Sequence, residues 1–136
     1  MHDMRERFAE RQREVRDAVA RLHEAVAQPD STIVRDATIQ RFEFTFETVW
    51  KVLKLYLEHQ GHECSGPRPT LKRAFAAGLI LSGDEADLWM VMLDDRNLTS
   101  HAYDESLAAR IYQHIVKDYA PLLSAMAGRI EKLTWD

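Results

Sequence analysis

The sequence predicts an all-α protein, an antiparallel up-and-down four-helix bundle with one additional short helix. Three observations carry this. Long stretches repeat apolar residues at three- and four-residue steps. Only five glycines and four prolines occur in 136 residues, too few punctuators for many short strands. No segment alternates in the period-two manner of a strand.

The first helix is expected from about Met4 to Gln28. Phe8, Val15, Val19, Leu22 and Val26 share one face, and Asp17 and Arg21 stand at i,i+4 on the other. Pro29 stops it, and Asp30-Ser31 can cap its successor. The second helix has the clearest pattern, a seam of Ile39, Phe42, Phe46, Val49, Leu53, Tyr56 and Gln60, widened by Trp50 and Leu57. Gly61 is its C-terminal cap, and the run from His62 to Pro69 is read as a loop. A short third helix runs from about Thr70 to Ala77 and ends at Gly78. Ser82-Gly83-Asp84-Glu85 has the form of a capping box for a fourth helix that buries Trp89, Met92 and Leu93 and ends near Leu98. Asp104 starts a fifth helix through Leu107, Ile111 and Ile115, with a kink expected at Pro121.

Composition bounds the function. At 136 residues, with 46% hydrophobic and 29% charged residues, the chain fits one domain, 1–136, able to fold around its own core. Cys64 is the lone cysteine, so no internal disulfide forms and a reducing, cytoplasmic setting is expected. The opening run MHDMRERFAERQRE is too charged for a signal peptide, and no apolar stretch approaches the roughly 20 residues of a membrane span. A net charge of −4 argues against coating nucleic acid by bulk electrostatics, while leaving room for a local cationic site.

Chemistry concentrates in Asp94-Asp95-Arg96-Asn97-Leu98-Thr99-Ser100-His101-Ala102-Tyr103. Arg96 falls on the same face as Trp89, Met92 and Leu93, where an arginine must be paired or must line a cleft. On an ideal helix Arg96 and His101 diverge by about 140°. They converge only if the helix ends or loosens at Thr99-Ser100, or if a second subunit completes the site. An arginine and a histidine suffice for RNA cleavage without a metal. Histidine takes the 2′-hydroxyl proton near neutral pH, and arginine braces the phosphorane with a planar fork of donors. The spacing alone is better matched by an Arg96 paired with Asp95 or a neighbouring helix, and a His101 that caps the fourth helix. His59, His62 and Cys64 offer at most three local metal ligands, so no metal site is expected. Arg68, Lys72 and Arg73 form a small basic patch that suits either phosphate or solvent.

The segment from Arg96 to Tyr103 resembles the R-x4-H-x-Y motif of HEPN-domain proteins. The block from Arg35 to Glu47, Trp50-Lys51, the Pro-Arg-Pro loop leading to Ala74-Phe75, Gly78-Leu79-Ile80 and Leu88-Trp89 are similar to the branch known as nucleotidyltransferase substrate-binding proteins. The resemblance implies a dimerising helical bundle that needs no cofactor, with a small MNT-type nucleotidyltransferase as partner. In toxin–antitoxin modules of this kind the HEPN protein is a metal-independent ribonuclease acting on RNA. It is silenced by its partner, in some cases by adenylylation of the motif tyrosine. Carried over, the resemblance implies Arg96 and His101 as catalytic, Asn97 as supporting and Tyr103 as the modified residue. The branch's older label implies an alternative, a non-catalytic subunit that presents a substrate to the nucleotidyltransferase.

Overall fold

The computed structural model describes residues 3–136; Met1 and His2, which open the charged N-terminal run, lie outside the described residues. The fold is all-α, with no strand among the described residues. Helices α1 (Met4–Val26) and α2 (Thr32–His59) form a hairpin and share the largest interface in the protein. The short α3 (Pro67–Ala76) packs beside α2 and beside α4 (Gly83–Leu98). A 3₁₀ turn, Thr99–His101, then leads to α5 (Glu105–His114). A π-helical turn (Ile115–Tyr119) and α6 (Ala120–Glu131) continue α5 without a break into one long rod. This rod lies against α1 and α2, giving a helical bundle with α3 as its extra short helix.

Local chemistry sets the helix ends. Asp3, Ser31, Ser82 and Asp104 are N-caps whose side chains accept from the backbone N–H three residues on. Gly61 closes α2 at φ +95° in a Schellman motif, with Gly61 N–H donating to Glu58 O and His62 N–H to Leu57 O. Gly78 closes α3 in the same manner, through Phe75 O and Ala74 O.

Three details differ from the sequence expectation. First, α3 begins at Pro67 rather than Thr70. Pro67 occupies the first helical turn, where a missing N–H costs nothing and the fixed φ helps. Second, the distortion expected at Pro121 lies one turn earlier, in the π turn, where Ala120 N–H donates to Ile115 O. Widening the ladder there accommodates a proline that lacks an N–H and would crowd the carbonyl of residue 117. Third, only half of the capping box forms. Glu85 N–H donates to Ser82 Oγ at 3.1 Å, but the Glu85 carboxylate accepts from both terminal nitrogens of Arg129, at 2.6 and 2.9 Å.

The core lies between the α1–α2 hairpin and the rod. Phe8, Val15 and Leu22 meet Phe42, Phe46, Val49 and Leu53, with Leu123 and Met126 closing from α6, all buried. Each such side chain stabilises the fold by about 1.5–3 kcal/mol. The Phe42 ring stacks on Tyr119 at 5.5 Å, and Phe46 tilts against Trp89 at 6.3 Å. Trp135, beyond α6, packs between Phe8 and His59, while Gln12 Nε2 donates to Ile130 O and Leu133 O. No helix among the described residues is long and apolar enough to cross a membrane.

Candidate functional site

Long side chains, rather than close backbone contact, tie α4 to α2 and the rod, and these ties position the candidate site. At the N-terminal end, Glu85 binds Arg129 and also accepts from Trp89 Nε1 at 3.3 Å. Burial works against the Glu85 charge, but Arg129, by hydrogen bond and by charge, and Trp89 outweigh it and hold the carboxyl below its usual range. At the C-terminal end, Asp95 and Arg96 diverge. Asp95 is buried and accepts from the Tyr119 hydroxyl at 2.6 Å. It also faces His114 Nδ1 at 2.8 Å and Arg110 at 3.9 Å. Burial, then the Asp95 hydrogen bond, pushes the Tyr119 phenol well above its normal value, so it stays a donor at every physiological pH.

Arg96 turns the other way, to α2. One guanidinium nitrogen lies 3.2 Å from Glu47 Oε1, and the other lies 3.6 Å from Glu43 Oε2 and donates to Thr99 Oγ1 at 3.2 Å. Its Nε is buried with no hydrogen-bond partner. Arg96 is thus paired across helices, with Glu43 and Glu47 rather than Asp95, and its side chain keeps 24% of its surface exposed.

The α-helical pattern stops at Leu98, and Thr99–His101 tighten into the 3₁₀ turn. Thr99 helps end the helix, because its hydroxyl donates back to Arg96 O at 2.7 Å. The α-helix thus ends between Arg96 and His101, and no hydrogen bond joins the two side chains. His101 is exposed, and its ring meets Tyr103 edge-on at 6.1 Å. Asn97 is exposed on the last turn of α4, and Tyr103 is 84% exposed. Tyr103 borders two shallow depressions against α2. One, of about 180 Å³, includes Thr32, Arg35 and Asp36; the other, of about 290 Å³, includes Asp36, Ile39 and Glu43.

Several residues of the site gave no signal of their role in the sequence. Glu43 and Glu47 are spaced i,i+4 beside the α2 seam, which is what an arginine on an apolar face needs opposite it. His114 and Tyr119 read as ordinary helix residues, and only the fold brings them to Asp95. The His59, His62 and Cys64 run scatters. His59 stacks on Trp135 at 3.6 Å, and Cys64 is buried. Among the described residues no group of three or more His, Cys, Asp or Glu side chains is arranged to hold a metal ion. In the small basic patch, Arg68 donates to Asp94 at 3.2 Å, while Lys72 and Arg73 are exposed.

Comparison with known proteins adds three findings. Residues 10–132 match the family described as nucleotidyltransferase substrate binding protein like. Over 93 residues the chain is 34% identical to a Haemophilus influenzae protein named "Probable ribonuclease HepT", a match spanning 62% of each chain. A crystal structure of a Thermus thermophilus protein superposes with a TM-score of 0.79 at 42% identity, covering 87% of this chain and 99% of that one.

Proposed function

The chain belongs to the HEPN-type family of nucleotidyltransferase substrate-binding proteins, and from that premise we propose that it is a metal-independent endoribonuclease. In this reading it is the toxin of a HEPN/MNT module, restrained by a nucleotidyltransferase. The observation that carries the reading is a partly exposed, cross-braced Arg96 followed by an exposed His101 on the 3₁₀ turn that ends the helix. The relative named as a ribonuclease adds support, although the match spans less than two thirds of that protein.

His101 takes the proton from a ribose 2′-hydroxyl, and the 2′-oxygen attacks the adjacent phosphorus. The phosphorus–5′-oxygen bond breaks, and the departing oxygen takes a proton from a protonated histidine or from water, leaving a 2′,3′-cyclic phosphate. Arg96 stabilises the charge that builds on the non-bridging oxygens. Asn97, beside Arg96, supports the phosphate as a further polar group. The site acts in a homodimer. Arg96 and His101 of both subunits line one cleft, so that two guanidinium groups face the phosphate from either side.

The test is growth arrest on expression and cleavage of RNA in EDTA, both lost in His101→Ala. Cleavage that disappears on chelation and returns with added metal refutes the mechanism. The pairing of Arg96 with two glutamates also suits a second reading, a non-catalytic subunit that presents a substrate to the nucleotidyltransferase. That reading gains if His101→Ala leaves growth and RNA untouched while nucleotidyl transfer by the partner still requires this protein.

A further inference from the structure

Four cationic side chains line one trough that the proposed reaction does not use. Between α1 and α2, a depression of about 250 Å³ is lined by Arg7, Arg11, Lys51 and Lys54, with Glu58 as its one carboxylate and Trp50 and Leu55 as its apolar wall. The cations come from both helices and converge on the same concave surface. Their ion pairs leave the cationic side chains partly exposed: Arg11 to Glu14 at 3.1 Å, Lys54 to Glu58 at 2.6 Å and Lys51 to Glu47 at 3.9 Å. Exposed pairs of this kind are weak and exchange readily for another anion.

Side-chain contacts through Glu47 link the trough to the candidate site. Glu47, which holds Arg96, also accepts from Trp50 Nε1 at 2.8 Å and faces Lys51. Glu43, Glu47, Trp50 and Lys54 follow at steps of four, three and four and so share one face of α2. At 1.5 Å per residue, Lys54 lies about 10 Å along the axis from Glu47. Duplex spacing of 3.4 Å per phosphate on each strand sets a lower limit for an extended strand, so that span holds at most about three phosphates.

We infer that the Arg7–Arg11–Lys51–Lys54 trough binds the backbone of single-stranded RNA flanking the cleaved phosphate. This inference rests on the ribonuclease reading. It adds a source of substrate affinity outside the motif, and it explains how a protein of net charge −4 engages a polyanion: cations from two helices line one trough that Glu47 links to Arg96.

The probe is a 2′-O-methyl RNA of about ten nucleotides, which lacks the attacking hydroxyl and stays intact, titrated against the purified protein at several salt concentrations. Two variants, Lys51→Gln/Lys54→Gln and Arg7→Gln/Arg11→Gln, each remove cations from one wall, and thermal melts verify that both remain folded. Each is expected to weaken binding roughly tenfold and to flatten the salt dependence by about 1.4 in log–log slope, the value for two lost single-strand contacts. A 2′-O-methyl dinucleotide, too short to span the trough, should bind far more weakly than the ten-mer to the wild type. Equal ten-mer affinity in wild type and both variants overturns the inference. So does a trough variant that binds RNA normally but escapes its nucleotidyltransferase, which assigns the surface to that protein. Cleavage of unmodified RNA by the wild type is scored separately. If cleavage is present and the trough variants bind normally, the trough fails while the ribonuclease reading stands. If cleavage is absent, it is the ribonuclease reading that fails.

Discussion

Asp95 and Arg96 are adjacent in sequence and anchored to opposite sides of the bundle, Asp95 to Tyr119 at 2.6 Å and Arg96 to Glu47 at 3.2 Å. The last turn of α4 is thereby held between α2 and the long rod, and the 3₁₀ turn bearing His101 emerges from a fixed point.

Removing the Asp95 anchor should cost stability. Asp95→Ala leaves the Tyr119 hydroxyl buried without its acceptor, a loss of about 2–3 kcal/mol, whereas Tyr119→Phe should lose about 1–2 kcal/mol because Asp95 keeps His114. Urea unfolding of both variants and of the double variant gives the coupling. A loss for Asp95→Ala below about 0.5 kcal/mol, the range of ordinary surface changes, rules out the anchoring role.

The Glu85–Arg129 clamp makes a prediction in acid. The Glu85 carboxyl titrates below the ordinary 4.5 in the folded protein, so its contribution is present above that pH and is lost as pH falls through the lower folded value. Stability of the wild type should decline on acidification below about pH 4.5 more steeply than that of Glu85→Gln. Identical acid limbs for the two proteins contradict the assignment.

Dimer formation should depend on the outer face of α4, where Val91 and Leu98 stand seven residues apart and are 49% and 37% exposed. Val91→Asp/Leu98→Asp is expected to shift a micromolar sample from dimer to monomer by light scattering, with at least a tenfold weaker association and a parallel loss of RNA cleavage. A wild-type monomer at that concentration removes the shared-site model altogether.

Tyr103 is 84% exposed and within reach of a modifying enzyme. An adenylyl group there would set a nucleotide and a negative charge beside the motif, where the RNA phosphate has to bind. Intact mass after co-expression with an MNT-type nucleotidyltransferase from the same organism should rise by whole AMP units and return to the unmodified value in Tyr103→Phe, which should also escape silencing. Suppressed activity with an unchanged wild-type mass would mean silencing by binding alone.

Much of the fold was legible because helices announce themselves locally. Ser31, Gly61, Gly78, Ser82 and Asp104 mark their ends through short-range hydrogen bonds, and the Phe42–Phe46–Val49 seam marks the buried face. Two boundaries were misread for local reasons as well: Pro67 looks like loop punctuation but suits a first turn, and Pro121 acts on the turn before it. The site was legible only in part. Arg96 and His101 stand out by type and spacing, but the partners of Arg96 lie about fifty residues upstream, and the Asp95 cluster depends on a rod whose phase is set by the π turn. Cross-helix pairings of this sort follow from packing, which periodicity alone does not specify.

The π turn has a consequence for reading relatives of this chain. Its i→i+5 geometry accommodates one residue more than a plain α-helix over the same rise, and so offsets the two halves of the rod. The sequence beyond residue 119 is then shifted by one place relative to an uninterrupted helix. A relative that runs straight through this region should carry a single-residue gap, and should have replaced Pro121 and the Tyr119–Asp95 bond together. Such a gap would record a change in helix winding, and the three positions would be inherited as one unit.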